Sequence, residues 1–506
     1  MNATKPGYAE PEIPLVPGTR DWADIEHQGI EYLQRDMLEH FSRAGYESIR
    51  TPILEFSDLH ERKSGAGIVA RLFELADDRA GAVCLRPELT ASIVRAYLAM
   101  PDPPALPLRL CCAGTVFRKE LPRACVLREF TQVGVELLGA GGPAADAEII
   151  ALAESTLRIP MLGRSDAVVR IGHLGLILEV LSGSGLPLGA RAALVEILSE
   201  ASEGHQVGAL ESALDRLVDW LKGNDEAARE ILPSVHPGDD RGVDRLFRQL
   251  VPDVTGRRSG HEIIGRLRTK WELGHKLQDA IKHLRDHIHI LGSLSGDAPE
   301  VLGQLRANYA AAAPQSLNEL EELIRLLGVH GISDKRVRLE PGFSRGIGFY
   351  TQMVFALEVE TPAGMLEVCG GGRYDGLARA FGGERDARGA GFAFGLERLA
   401  SLIPRHVRDQ LATVPRGHLI VPKGPQWADE AIRLANFLQS RGLTAVAQID
   451  ANPDAAVAIA QEQRRDFLVL VAGAFDAQGS LTIGTPAKPN AFVPVGLAQL
   501  APDRPR

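Results

Sequence analysis

Three separated stretches of the chain each set charged side chains inside an apolar, strand-like or helix-opening run. They are Leu85–Thr90, carrying Arg86 and Glu88; Val116–Glu136, carrying Arg118, Lys119, Glu120 and Glu136; and Gly391–Leu399, carrying Glu397 and Arg398. An ion buried without its partner costs about 3–5 kcal/mol. Opposite charges must therefore meet across these stretches, and a charged ligand is one way to supply them. Guanidinium groups are always charged and form paired hydrogen bonds to phosphate oxygens, which suits a triphosphate better than lysine does. The pattern points to activation chemistry on ATP.

Each candidate also has a plainer reading. Arg118, followed after a turn by Arg128 and Glu129, can grip phosphate or be a buried arginine paired with Glu120 or Glu136. Glu88 and Thr90 follow Pro87, whose fixed φ limits the backbone. A carboxylate and a hydroxyl there can hold a substrate ammonium group, or Thr90 can cap a helix with Glu88 in its first turn. Arg345 lies beside Gly346 and Gly348 just ahead of a strand-like run, where glycine allows close ligand approach and the arginine can touch a reacting phosphate. A tight turn with a surface arginine has the same composition. Gly370–Gly376 lacks the lysine and Ser/Thr of a phosphate-binding P-loop, so a floor for a small substrate between strands is the better reading. Glu397-Arg398 at a helix start suits an anion or a solvated helix face.

His283 and His287 are four apart, but no glutamate base or third ligand stands in register with them, and His261-Glu262 fails the zinc-protease pattern. No metal site held by protein ligands is expected. No serine or cysteine nucleophile motif is present.

The elements that must position these residues can be read coarsely. At 506 residues the chain should split into about two to four domains. Its 45% hydrophobic and 24% charged residues are ordinary for a soluble protein. No apolar run approaches the roughly 18–20 residues of a membrane span, and no signal-peptide core opens the chain. Five cysteines without metal spacing predict free thiols in a reducing cytoplasm. A net charge of −9 argues against indiscriminate nucleic-acid binding but allows a local basic groove. Helical periodicity predicts a helix from Asp21 to Arg43, then a strand over Tyr46–Phe56 interrupted by Pro52. Hairpin-like pairs follow, Leu72–Ala76 with Val83–Leu85 and Leu108–Phe117 with Phe130–Leu138. Residues 172–327 read as a mainly helical insertion between two parts of one core, 1–171 and 328–410. Residues 418–500 alternate strand and helix as a small α/β unit.

Taken in order, these pieces resemble the histidyl-tRNA synthetase family of class II aminoacyl-tRNA synthetases. Tyr46–Phe56 resembles motif 1, Phe117–Glu136 motif 2 and Gly391–Leu399 motif 3; Arg345–Tyr350 and Gly371–Leu377 resemble the two histidine signatures. The resemblance implies an α+β fold, with an antiparallel sheet flanked by helices, a helical insertion and a C-terminal anticodon-binding-like α/β domain. It further implies a homodimer joined at motif 1, with ATP, Mg²⁺, histidine and tRNA as ligands. Carried over by residue, Glu88, Thr90 and Gln132 hold the α-ammonium of histidine, and Glu136 and Tyr350 read its imidazole. Arg118 and Arg345 grip the α-phosphate, Arg398 the γ-phosphate, and Arg128 adds to the ATP site.

Three departures stand out. Val126 replaces an expected arginine, Gly348-Phe349 stand where Asp-Tyr is usual, and Asp454–Gln461 replaces a basic stretch. Positive and negative residues are about balanced over the C-terminal domain, a weak footing for RNA, whose affinity comes largely from phosphate contacts. Retention of all three phosphate arginines favours a histidine–tRNA ligase. The alternatives are a non-catalytic histidine-sensing regulatory subunit of ATP phosphoribosyltransferase and an adenylate-forming paralogue that does not act on tRNA.

Overall fold

The computed structural model describes residues 13–62, 66–77, 81–119, 127–182, 287, 290–343, 345, 348–383, 387–412, 417–472, 481–484 and 493–495. Val126, Cys125, His283 and most of the expected helical insertion lie outside them. The chain divides into two compact units, Met1–Pro404 and Arg405–Arg506.

In the first unit the strands are β1 (Glu47–Ser48), β2 (Leu54–Phe56), β3 (Phe73–Asp77), β4 (Gly81–Leu85), β5 (Leu108–Phe117) and β6 (Glu129–Leu138). They continue with β7 (Val168–His173), β8 (Gly296–Asp297), β9 (Val337–Leu339), β10 (Met353–Thr361), β11 (Gly364–Arg373) and β12 (Gly389–Gly395). Among the described residues nine of them form one sheet in the order β1-β5-β6-β12-β11-β10-β7-β9-β8. Its pairs are antiparallel except β1 with β5 and β7 with β9. A smaller sheet runs β2-β4-β3. The fold is the expected α+β arrangement, an antiparallel sheet flanked by helices.

The central strands are buried along nearly their whole length because helices cover them. Asp24–Arg43 forms an amphipathic helix whose Leu33, Met37 and Phe41 are fully buried, and it stops where Gly45 takes a positive φ of 87°. Phe41 meets Phe392 edge-on with ring centroids 5.7 Å apart. The helix Gly142–Thr156 packs against β10, β11 and β12. Leu89, Ile93, Val94 and Tyr97, in and just before the helix Thr90–Leu98, pack with Leu108, Leu110, Cys112 and Leu138 of β5 and β6.

The leucine-rich stretch before residue 327 is not all insertion. Gly296–Asp297 joins the sheet as β8, and the helices Ala298–Tyr309 and Pro314–Val329 belong to the same unit, the second against Gly142–Thr156. Leucine periodicity looks alike in an inserted helical domain and in a core helix, so sequence could not separate them.

Register puts Gly134 opposite both Cys112 and Ala393. A Cβ built on Gly134 would overlap the Phe392 carbonyl oxygen, which is backbone and cannot swing away. Gly134→Ala is therefore expected to destabilise the unit by about 3 kcal/mol or more. Denaturant unfolding beside the parent protein checks it; an unchanged midpoint would mean the strands separate freely there.

The second unit has β13 (His418–Pro422), β14 (Ala445–Ala447) and β15 (Phe467–Val471) in parallel, then β16 (Leu481–Gly484) and β17 (Val493–Val495) antiparallel, in the order β14-β13-β15-β16-β17. The helix Ala428–Ser440 buries Ala431, Leu434, Ala435 and Leu438 against Ile420, Val469 and Val471. Ala456 and Ala460 pack with Leu419, Val421 and Leu468.

Candidate active site

Residues paired across antiparallel strands share a face. On one face of the sheet, β6 contributes Phe130, Gln132, Gly134 and Glu136, and β12 sets Gly395, Ala393 and Gly391 beside the last three of these. β11 then presents Gly370 and Gly372 next to Ala393 and Gly391. The middle of the sheet thus forms a floor almost without side chains, and polar groups from its margins lie over it. A Cβ on Gly391 would overlap the Glu136 carboxylate, one on Gly370 the Arg345 guanidinium, and one on Gly372 would press on the Tyr350 ring. Glycine is required there to admit the functional groups.

Glu136 is buried, at 4% exposure. Thr90 donates to its Oε1 at 2.6 Å, and Tyr374 donates to its Oε2. Burial nevertheless dominates and pushes its carboxyl up to about 8; the hydroxyls oppose this and neighbouring Glu88 reinforces it. Glu88 is equally buried and accepts from the Ala91 N–H at 3.1 Å, so it caps the helix that begins at Thr90. Thr90 is therefore not the cap, and Glu88 stands ahead of the helix rather than in its first turn: Glu88 takes the capping contact, while Thr90 turns to Glu136. Behind Glu88, fully buried His60 places Nδ1 3.5 Å from its Oε1. Gln132 is 9% exposed, and its Oε1 has no hydrogen-bond partner among the described residues. Burial raises the Tyr350 phenol; Arg345 opposes the shift and Glu136 and Glu88 add to it, so all three act on one ring. Four of the expected substrate-binding residues, Glu88, Thr90, Glu136 and Tyr350, therefore lie together at one end of the floor, while Gln132 stands farther along β6, beside Gly395.

The arginines gather at the other end. Arg345 pairs through Nη2 with Glu367 Oε1 at 2.8 Å, and Arg398 donates from Nη1 to the Glu367 carbonyl at 3.0 Å. Arg345 Nε and Nη1 are buried without a hydrogen-bond partner among the described residues. Arg118 donates from Nε to the Pro87 carbonyl at 3.0 Å and lies over the Phe130 ring, 5.3 Å from its centroid. A Cβ on Gly395 would touch both the Phe130 ring and Arg398 Cβ, so the two side chains are near neighbours. An aromatic ring beside a guanidinium is suited to a flat heterocycle that carries negative charge.

Three charged residues behave otherwise. Arg128 turns to the N-terminal segment, 4.9 Å from the Phe73 centroid, with Nη1 3.4 Å from the Pro17 carbonyl; its side chain is not drawn to the Glu367 cluster. Arg86 is satisfied by Thr51 and the Thr115 carbonyl, and Glu397 by the Thr131 N–H at 2.9 Å. The last contact ties the motif 3-like segment to the motif 2-like one and explains the half-buried carboxylate at that helix start. Arg373 is buried against Asp146 and Asp375 and holds β11 to the helix Gly142–Thr156.

Sequence reasoning missed Phe130, Tyr374, His60 and Glu367. Phe130 was findable, because it alternates with Gln132 and Glu136 on one strand face. Tyr374 stands within the signature-like Gly371–Leu377, where it was given no role, and His60 and Glu367 carry no local signal. Among the described residues no group of three or more His, Cys, Asp or Glu side chains is arranged to hold a metal ion, and no helix is long and apolar enough to cross a membrane. Cys84, Cys111, Cys112 and Cys369 are free and buried.

The sheet order and its glycine floor define a class II aminoacyl-tRNA synthetase-like fold. The sequence model of the histidyl-tRNA synthetase family matches residues 18–237 and 240–399, and the chain belongs to that family. It is 31% identical over 390 residues to an ATP phosphoribosyltransferase regulatory subunit of Moorella thermoacetica, covering 76% of this chain and 81% of that one. It is 27% identical over 466 residues to a histidine–tRNA ligase of Methanosarcina acetivorans, covering 92% of each. The solved histidyl-tRNA synthetase of Nostoc sp. PCC 7120 shares the fold with a TM-score of 0.60 at 16% identity, over 97% of this chain and 98% of that one.

Proposed function

We propose that the chain is a histidine–tRNA ligase, which joins histidine to ATP as histidyl-adenylate and passes the acyl group to tRNA. The observation that carries this reading is the joint presence, on one glycine floor, of hydroxyls gathered on the buried Glu136 carboxyl and of arginines gathered on Glu367. Glu136, Thr90, Tyr374 and Tyr350 supply acceptors and hydroxyls for an imidazole, while Gln132 Oε1 and Glu88 suit an ammonium group. The two unpartnered donors of Arg345 suit the α-phosphate, which the carboxylate of histidine attacks. Arg118 lies over the Phe130 ring and Arg398 is anchored nearby on the Glu367 carbonyl, a setting in which an adenine can stack with its phosphates toward the guanidinium groups. Catalysis asks for no covalent step by the protein. In-line positioning and charge stabilisation supply the rate. Mg²⁺ enters as the counter-ion of ATP, held chiefly by phosphate oxygens and water.

Histidine-dependent pyrophosphate–ATP exchange followed by charging of tRNA tests the reading, and both should succeed. The 31% identity to a regulatory subunit motivates a second reading as a non-catalytic histidine sensor. Histidine binding without exchange would favour it, and exchange without charging an adenylate-forming enzyme with another acceptor.

Ile53, Leu54 and Phe56 are 43, 55 and 57% exposed on and beside edge strand β2, in the motif 1 segment. Adjacent apolar side chains on an open strand edge are suited to an interface, and they support a homodimer. Sedimentation equilibrium should find a dimer in the parent protein and a shift to monomer in the Leu54→Asp/Phe56→Asp double variant. A monomeric parent would end the dimer reading.

A further inference from the structure

Resting on the reading of Arg345 as the phosphate-gripping arginine, we propose that Glu367 is its positioning residue, steadied in turn by Arg170. Glu367 lies on β11 three residues before Gly370, whose missing side chain makes room for the Arg345 guanidinium. Its Oε1 holds Arg345 Nη2 at 2.8 Å, its Oε2 lies 3.6 Å from Arg170 Nη2, and its carbonyl accepts from Arg398. Arg170 on β7 is 7% exposed and bracketed by Glu358 at 3.2 Å, Glu340 at 3.6 Å and the Phe343 ring at 4.0 Å.

The physical case has two parts. A free arginine side chain carries about 2 kcal/mol of rotamer entropy, so one that must meet a phosphate in a fixed pose gains from being anchored beforehand. Glu367 anchors one terminal nitrogen and leaves Nε and Nη1 available to an anion. A bare carboxylate so near would repel that anion. Arg170 on its far side and Arg398 at its backbone offset the charge, so Glu367 holds Arg345 without closing the site to phosphate.

Glu367→Gln keeps the shape and removes the charge, and Glu367→Asp keeps the charge at shorter reach. Two readouts are needed. The first is the labelling rate of Arg345 by an arginine-selective dicarbonyl reagent, mapped by mass spectrometry, which needs no activity. The second is histidine-dependent exchange, resolved into kcat and KM. In Glu367→Gln we expect Arg345 to label several-fold faster and kcat to fall about 10- to 100-fold, with the KM for histidine within about twofold. Glu367→Asp should recover part of both, and thermal melting should show each variant folded. Labelling of Arg345 at the parent rate in Glu367→Gln overturns the proposal, as does faster labelling with undiminished kcat. A parent protein without exchange sinks the ligase reading instead, and the labelling rates then decide whether Glu367 holds Arg345.

Discussion

Arg345→Ala is expected to slow histidine-dependent pyrophosphate exchange by about 10²–10³-fold, while histidine itself still binds with affinity changed by no more than about twofold. The reasoning is spatial. The proposed histidine pocket is built from β6, the start of the Thr90 helix, Tyr350 and Tyr374, whereas the Arg345 guanidinium lies over Gly370 and is held by Glu367. Removing it leaves the Glu136 hydrogen bonds in place and takes away donors aimed at charge that develops only as the phosphate is attacked. Calorimetric titration with histidine beside the exchange assay separates the effects. Loss of histidine binding in step with exchange would reassign Arg345 to the amino acid.

Glu136→Gln is expected to weaken histidine binding by about 10- to 100-fold and, without ligand, to make the protein more stable at pH 8. Burial raises this carboxyl in the folded state to about 8 from an ordinary value of 4.5. The folded protein therefore holds a proton that the unfolded chain has released between these limits. The stability linked to that proton is complete below about pH 4.5 and is lost as pH rises through 8. At about 1.4 kcal/mol per pH unit the loss is a few kcal/mol, and glutamine, which never ionises, should escape it. Denaturant unfolding from pH 5 to 9 would show a steeper decline for the parent than for the variant; parallel curves would mean that Glu136 is hydrated.

The same carboxyl sets a pH dependence for binding. An imidazole has an ordinary pKa of about 6.5. Between 6.5 and 8 the empty site and free histidine together bring one proton, the number a carboxyl–imidazole pair shares. Below that window binding must expel a proton, and above it a proton must be captured. Affinity should peak between these limits, and its alkaline decline should vanish in Glu136→Gln. A decline that persists in the variant would assign it to another group.

Much of the fold was legible because it depends on local rules. The helix from Asp24 follows from apolar residues three and four apart and stops at Gly45, where positive φ is needed. The β5–β6 hairpin follows from two long strand-like runs, and the C-terminal α/β alternation from short apolar runs set between helical ones. The glycine run Gly370–Gly372 was readable as a bare floor between strands because it lacked the side chains of a phosphate loop. Gly389–Gly395 was harder. Its alternation of small residues with Phe392 and Phe394 is a strand period of two, yet the helix signal of Leu396-Glu397-Arg398 masks it.

By itself the sequence determined the types of group at the site, a set of carboxylates, hydroxyls and arginines in an order that resembles one family, because chemical identity is written residue by residue. Only the tertiary structure decided their company. It put Thr90 on Glu136, Glu88 on a helix end, Arg345 and Arg398 on Glu367, and Arg128 on Phe73. Apart from the local Glu88 contact, those pairings join residues tens of positions apart, and a shift of one residue in strand register turns a side chain to the opposite face. No local pattern encodes which distant strand will lie alongside, so the partners of a buried charge emerge only when the sheet closes around it.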